Sequence, residues 1–317
     1  MKVKLYAVWL LCLICASGMA QTTWDATNGP FGGKVNALAI HPGGNLIAAT
    51  QANGIMYSTD AGATWNTMSN LNTSSNSINA GAYDVVIDPS GNAWATGFNR
   101  LYKSTDGGVT WTEVSTVSAI AAQVAVAPNG TVYLSSSQAI YKSTNGGVTF
   151  TSLSTGVTGS EFINDIAVNS TNDVFVATVN SVNEKSVYYS NNGGINWNNP
   201  AAVKPTADGF FSLVTSGQTV YAVGSDGVYS CADRGDSWKL ILGNLPATNY
   251  GGILSMDSGG NLWLFNPYNR QAWYTSNPTN ASPTWTLGGN LPYSYYPYAA
   301  VAVSPSTLYV SVESLGV

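Results

Sequence analysis

The chain has 317 residues, 9% of them charged and 44% hydrophobic, with a formal net charge of −5. A mildly acidic chain poor in Lys and Arg excludes nucleic acid and anionic membrane as electrostatically steered partners. So few charges also argue against exposed helices, whose outer faces use Lys, Glu and Arg, and favour short strands joined by turns.

In chain order, the first segment reads as a secretory signal over residues 1–20. Lys2 and Lys4 precede the apolar run 5–16, and small residues at Gly18 and Ala20 set a cleavage point before Gln21. The run is too short to span a bilayer comfortably, so an uncleaved anchor is the lesser reading, and no later run is long enough either. Cleavage would remove Cys12 and Cys15, leave Cys231, and take the formal charge from −5 to −7. The expectation is a secreted, periplasmic or cell-surface monomer over 21–317 as one domain, without disulfides and therefore dependent on a large core.

From residue 35 the pattern alternates with period two: 35–40, 45–50, 54–58 and 64–68 read as four strands separated by Gly, Asn and Pro turns. That unit then repeats. "YSTDAGATW" at 57–65 returns as "YKSTDGGVTW" at 102–111, "YKSTNGGVTF" at 141–150, "YYSNNGGINW" at 188–197 and "YSCADRGDSW" at 229–238, with a degenerate copy ending at Trp285. An independent marker, a turn after an apolar alternation, begins at 41, 88, 127, 169, 215, 257 and 304. Two markers sharing a period of roughly forty residues predict an all-β, seven-bladed β-propeller of four-stranded antiparallel blades. Trp24 carries the phase of a fourth strand with no strands before it. The last repeat, from about 297, supplies two strands and lacks the third. The expected closure therefore joins the strand near Trp24 to the carboxyl-terminal strands, in a last blade that is incomplete.

Within the repeated turn, Asp60, Asp106, Asn145, Asn192 and Asp233 hold one position. Asp and Asn alternate there, which points to acceptance of backbone hydrogen bonds in the residue's own turn and not to proton transfer or a calcium loop. Gly two places on permits a positive φ, and the closing aromatic leads the next strand.

The stretch Ser104-Thr105-Asp106-Gly107-Gly108-Val109-Thr110-Trp111 resembles the box of the Asp-box (bacterial neuraminidase) repeat proteins, and the resemblance covers nearly all of 21–317. That family includes sialidases, xyloglucan-cleaving endoglucanases, sortilin-type receptors and photosystem II assembly factors. The resemblance implies a propeller whose boxes are structural and lie away from the working face. It does not select an activity.

Propeller connectivity sends the boxes and the first-to-second-strand turns to one face, and the other loops to the opposite face. On that opposite face the candidate ligand-binding residues are Tyr83, Phe98, Arg100, Phe162, Tyr250, Tyr268, Arg270, Tyr293, Tyr295 and Tyr296. Aromatic rings stack on sugars, and Tyr brings large contact area at low entropic cost; the competing reading is that many of them wedge blade against blade.

Catalytic patterns are poorly met. Sialidases grip the substrate carboxylate with three Arg, whereas this chain has Arg100, Arg234 and Arg270, with Arg234 inside a box. Where the xyloglucan-cleaving enzymes place an Asp in the first blade, this chain has Gln51. Asp84, Asp165 and Glu161 are weak candidates for glycosidic acid–base chemistry. The lone His41 sits in a turn, leaving no material for a metal site, and no cofactor is expected. The favoured reading is a non-catalytic binding module for extracellular polysaccharide or protein. A glycoside hydrolase and an assembly or adhesion scaffold are the alternatives.

Overall fold

The structure, a computed structural model, describes residues 27, 29–30, 34–68, 81–97, 100–116, 122–136, 139–154, 161–180, 187–198, 209–246, 250–291, 299–304 and 306–311. The elements within these residues are all strands. Blade 1 contains β1 (Val35–Ile40), β2 (Leu46–Thr50), β3 (Gly54–Ser58) and β4 (Asn66–Thr67). Blade 2 has β5 (Ala82–Ile87), β6 (Ala93–Gly97), β7 (Arg100–Ser104) and β8 (Thr112–Thr116). Blade 3 has β9 (Gln123–Val126), β10 (Val132–Ser135), β11 (Ile140–Ser143) and β12 (Thr151–Leu153). Blade 4 has β13 (Glu161–Val168), β14 (Val174–Asn180) and β15 (Val187–Ser190), with an isolated bridge from Tyr189 to Asn198 in place of a fourth strand. Blade 5 has β16 (Phe210–Ser216), β17 (Thr219–Gly224), β18 (Gly227–Cys231) and β19 (Lys239–Leu240). Blade 6 has β20 (Ile253–Met256), β21 (Leu262–Asn266), β22 (Gln271–Thr275) and β23 (Thr286–Asn290). A last pair, β24 (Ala299–Ser304) and β25 (Thr307–Ser311), forms a two-stranded hairpin.

Each sheet is an antiparallel meander in sequence order. The first strands β1, β5, β9, β13, β16, β20 and β24 contact one another in succession, and β24 returns to β1. The architecture is therefore a propeller, but the expectation of seven four-stranded blades is corrected. Among the described residues six sheets have blade size, and the hairpin lies between blade 6 and blade 1. The expected strand near Trp24 lies outside the described residues.

The core explains why no blade stands alone. It is divided into clusters, each shared by two neighbouring sheets. Ile47, Ile55 and Met68 of blade 1 pack with Val85, Tyr102 and Trp111 of blade 2. Phe175 and Tyr189 of blade 4 pack with Phe210, Tyr229 and Trp238 of blade 5. Trp263 and Phe265 of blade 6 pack with Ala302 and Leu308 of the hairpin. The cluster joining the hairpin to blade 1 is small: Val35, Ala48 and Ala299, flanked by Leu38 and Trp65. The second strands lie between two such clusters. β2, β6 and β21 are buried along their whole length, so their sequences (LIAAT, AWATG, LWLFN) do not alternate.

The repeated turn has one geometry wherever it occurs. In blade 2, Ser104 Oγ donates to Asp106 Oδ1 at 2.8 Å and accepts from Gly108 N at 2.9 Å. Asp106 in turn accepts from Thr110 N at 2.9 Å and Thr110 Oγ1 at 2.6 Å. Asn145 Oδ1 accepts from Ser143 Oγ and Thr149 N in the same way, while its Nδ2 donates to Thr149 Oγ1, and Asn192 accepts from Ser190 Oγ and Asn196 N. In blade 5 Cys231 replaces the serine: its Sγ donates to Asp233 and accepts from Gly235 N. These donors hold the Asp60 and Asp233 carboxyls down to about 2, in Asp233 against the opposing pull of burial. Boxes also dock on the preceding blade. Lys142 Nζ of blade 3 donates to Gly193 O, and Arg234 clamps Asp173 of blade 4 through Nε at 3.0 Å and Nη2 at 2.7 Å. Asp60, Asp106, Asn145, Asn192 and Asp233 are thus turn-closing groups, and Arg234 is a blade-to-blade clamp.

A second turn device was not foreseen from the sequence. Asp88 accepts from Ser90 N, Asn92 N and Trp94 Nε1, and Asp257 repeats this with Gly259, Asn261 and Trp263. At the corresponding place in blade 1, His41 Nδ1 accepts from Gly43 N at 3.0 Å, so it closes its own turn.

Candidate functional site

The boxes and the first-to-second-strand turns share one end of the ring. The opposite end is formed by the starts of the first strands and by the second-to-third-strand turns. The first strands of blades 1, 2, 4 and 5 each carry a register shift close to this end, between Val35/Ala37, Ala82/Asp84, Ile163/Asp165 and Phe210/Ser212. The extra residues are Asn36, Tyr83, Asn164 and Phe211. A bulge bends the strand and re-aims a side chain, and here it does so beside the ring axis.

The re-aimed side chains do two things. Some close junctions between blades. Asn36 Nδ2 donates to Ala82 O at 2.8 Å, and Asn164 Nδ2 to Phe211 O at 2.8 Å. Neighbouring residues continue this girdle. Gln123 Nε2 donates to Asn164 O, Ser212 Oγ accepts from Leu254 N, and Ser255 Oγ accepts from Ala302 N. Each step from blade 1 to the hairpin is crossed by a side chain satisfying a backbone group of the next first strand, whose inner edge has no partner strand. Between the hairpin and blade 1 the described contact is different: Tyr309 OH donates to Ala61 O at 3.3 Å, on the box side.

Two girdle members are the candidate carboxylates. Asp84 accepts from Val85 N at 2.8 Å through Oδ1 and from Val124 N, in blade 3, at 2.9 Å through Oδ2. Asp165 accepts from Ile166 N at 2.8 Å and from Leu213 N, in blade 5, at 2.7 Å. Burial in the middle of the ring raises Asp84 to about 6 against these two N–H donors. For Asp165, burial first and then the Asp84 charge raise the carboxyl to about 7. Both residues are partly exposed. Both oxygens of each accept from backbone N–H groups, one within the residue's own strand and one in the next blade.

Of the remaining bulge residues Phe211 packs against the cluster between blades 5 and 6 and Tyr83 presents surface, together with two aromatics outside the bulges. Tyr83 is 37% exposed, Phe162, near the start of β13, is 51%, and Tyr268, in the β21–β22 turn, is 48%. Among the described residues these are the large aromatics that stand this far into solvent, and all three are at the end opposite the boxes. Arg100 opens β7 at the same end and is paired with Glu113 of β8. Arg270 is exposed in the Tyr268 turn at φ 56. Tyr250 is corrected: it is 3% exposed, its hydroxyl donates to Pro246 O, and it belongs to the cluster between blades 5 and 6. Phe98, Tyr293, Tyr295 and Tyr296 lie outside the described residues, as does the side chain of Glu161. Among the described residues no group of three or more His, Cys, Asp or Glu is placed to hold a metal ion.

No family profile matches the sequence, and no curated protein does. Solved structures do match. A virginiamycin B lyase from Staphylococcus aureus aligns with 88% of this chain and 91% of its own, at 16% identity and TM-score 0.67. The extracellular domain of the one-component system BT4673 from B. thetaiotaomicron aligns with 93% of this chain, at 12% identity and TM-score 0.68, and this chain spans 39% of it. YCF48 bound to D1 peptide aligns with 76% of this chain and 75% of its own, at 14% identity and TM-score 0.52. At such identities the likeness is one of fold: this chain is similar to β-propellers that include a lyase and a peptide-bound protein.

Proposed function

We propose that this chain is a secreted, non-catalytic binding module, built on Asp-box repeats, that holds an extracellular glycan or protein on the face opposite its boxes. The observation that carries the reading is the placement of Tyr83, Phe162 and Tyr268. Among the described residues most aromatics are buried, and the three that stand exposed are all on one face. Exposed aromatic rings spread over one face of the ring, on blades 2, 4 and 6, offer stacking surface to a ligand that spans it. The pairing of Arg100 with Glu113 leaves Arg270 as the exposed cation beside Tyr268, able to hydrogen-bond the hydroxyls of a polysaccharide. Residues 1–20 act as the export signal, and the mature protein works as a monomer without cofactor, outside the cytoplasm.

The test is a glycan array and a polysaccharide pull-down with protein shown to be folded. The expected result is retention of a neutral polysaccharide, lost in the Tyr83→Ala, Phe162→Ala double variant. Uniform absence of retention would remove the glycan reading. A glycoside hydrolase remains the second reading, because Asp84 and Asp165 carry the raised carboxyls expected of a general acid. Release of reducing sugar from a β-glucan, abolished by Asp84→Asn or Asp165→Asn, would replace the first reading with the second.

A further inference from the structure

Two of the girdle junctions differ from the others in chemistry. Asn36, Gln123 and Ser212 bridge to the next blade as neutral groups, whereas Asp84 and Asp165 bridge as carboxyls. Among the described strands packed against them, none contributes a cation. β1, β2, β6 and β9, which pack on β5, contain no Asp, Glu, His, Lys or Arg, and neither do β9, β10, β14 and β16, which pack on β13. On those neighbouring strands Tyr133 of β10 is the titratable side chain, and burial pushes its hydroxyl up to about 12, so it stays neutral. On the carboxyls' own strands the titratable neighbours are Tyr83 and Glu161. The charge that acts on Asp165 is Asp84 itself.

A neutral carboxylic acid suits these junctions. Each oxygen keeps a lone pair for its N–H donor, and the acid proton can point into the axis. An ionised pair also keeps the four bonds, but places two like charges within reach of each other with no counter-charge. We propose that the axis of the ring is a proton-binding element: Asp84 and Asp165 join blades 2 to 3 and 4 to 5 as protonated acids, and their ionisation weakens the closed ring as pH rises. The direction follows from linkage. A folded state that binds these protons more tightly than the unfolded chain is favoured below the ordinary carboxylate range and loses that advantage as pH climbs through the folded values. Because the two sites interact, their titration belongs to the pair, and the second ionisation is pushed above the first.

The direct test is a titration of the Asp side-chain 13Cγ resonances in folded wild-type protein from pH 3 to 8.5. Two resonances are expected to move with midpoints near neutral pH, while every other Asp moves below about pH 4.5. If all Asp resonances titrate in the ordinary range, the proposal is overturned. The thermodynamic test is urea unfolding at several pH values between about 4.5 and 7. The wild-type folding constant is expected to fall with pH, by up to about tenfold per unit for each carboxyl. In the Asp84→Asn, Asp165→Asn double variant that slope is expected to vanish. An identical slope in both proteins would refute the assignment. Asn has one acceptor oxygen, so its amide group would face one N–H of each pair; if the double variant does not fold, the resonance titration decides alone.

Discussion

The box of blade 3 contains a built-in comparison between backbone strain and blade contact. Gly146 and Gly147 are adjacent, at φ 69 and 85, in the left-handed region where an L side chain is strained. A Cβ at Gly146 would meet nothing within 4 Å. A Cβ at Gly147 would lie 2.9 Å from Leu101 Cδ2, 3.1 Å from Val114 Cγ1 and 3.3 Å from Trp94 Cζ3, all in blade 2. Gly146→Ala should therefore cost only the left-handed conformation, about 1–2 kcal/mol. Gly147→Ala pays a similar strain plus overpacking of roughly 1–3 kcal/mol, for a total of about 2–5 kcal/mol. Urea unfolding followed by tryptophan fluorescence measures both. Equal losses, or a larger loss at Gly146, would refute the view that this glycine is required by the approach of one blade to the next.

Other perturbations follow from the same geometry. Arg234→Met should lower the urea midpoint, since it strips charged hydrogen bonds from Asp173, whose side chain is 1% exposed; added salt should reduce the difference, because Arg234 is half-exposed. Cys231 should resist disulfide reagents at pH 8 in the folded protein and react on unfolding, because burial, with Asp233 beside it, pushes the thiol up to about 11. Cys231→Ser, which restores the residue found in the other boxes, should fold normally by circular dichroism. In strong acid the box carboxyls dominate. Asp60 and Asp233, held down to about 2, contribute stability above the ordinary carboxylate range that is lost as pH falls toward 2. With the axial pair acting in the opposite sense, unfolding midpoints measured against pH should peak near the ordinary carboxylate range. If a neutral polysaccharide is retained, Phe162→Ala alone should weaken binding by about tenfold in titration calorimetry, equivalent to about 1.4 kcal/mol.

Local chemistry made much of this molecule legible from its letters. The turn Ser-x-Asp-x-Gly-x-Thr closes on itself through bonds spanning four residues, so its recurrence marked the blades, and the strands Val35–Ile40 and Gly54–Ser58 fall where alternation places them. Substitution of Asn for Asp at 145 and 192 already pointed to hydrogen bonding, because an amide can replace a carboxylate as acceptor but not as base. The aromatic surface was half legible: Tyr83, Phe162 and Tyr268 are exposed, whereas Tyr250, equally aromatic and on a comparable loop, is buried against blade 6. Residue type records an affinity for contact and does not record whether the contact is ligand or neighbouring blade.

What the sequence alone determined is therefore the repeating unit: its strands, its turns and the residues that close them, all set by interactions within one stretch of chain. The tertiary structure decided the rest. It placed Arg234 on Asp173 and set Asp84 and Asp165 as bridges between blades. Each of these pairs a side chain with a partner more than thirty residues away. No local pattern encodes such a pairing, because it exists only once the sheets have packed around a common axis.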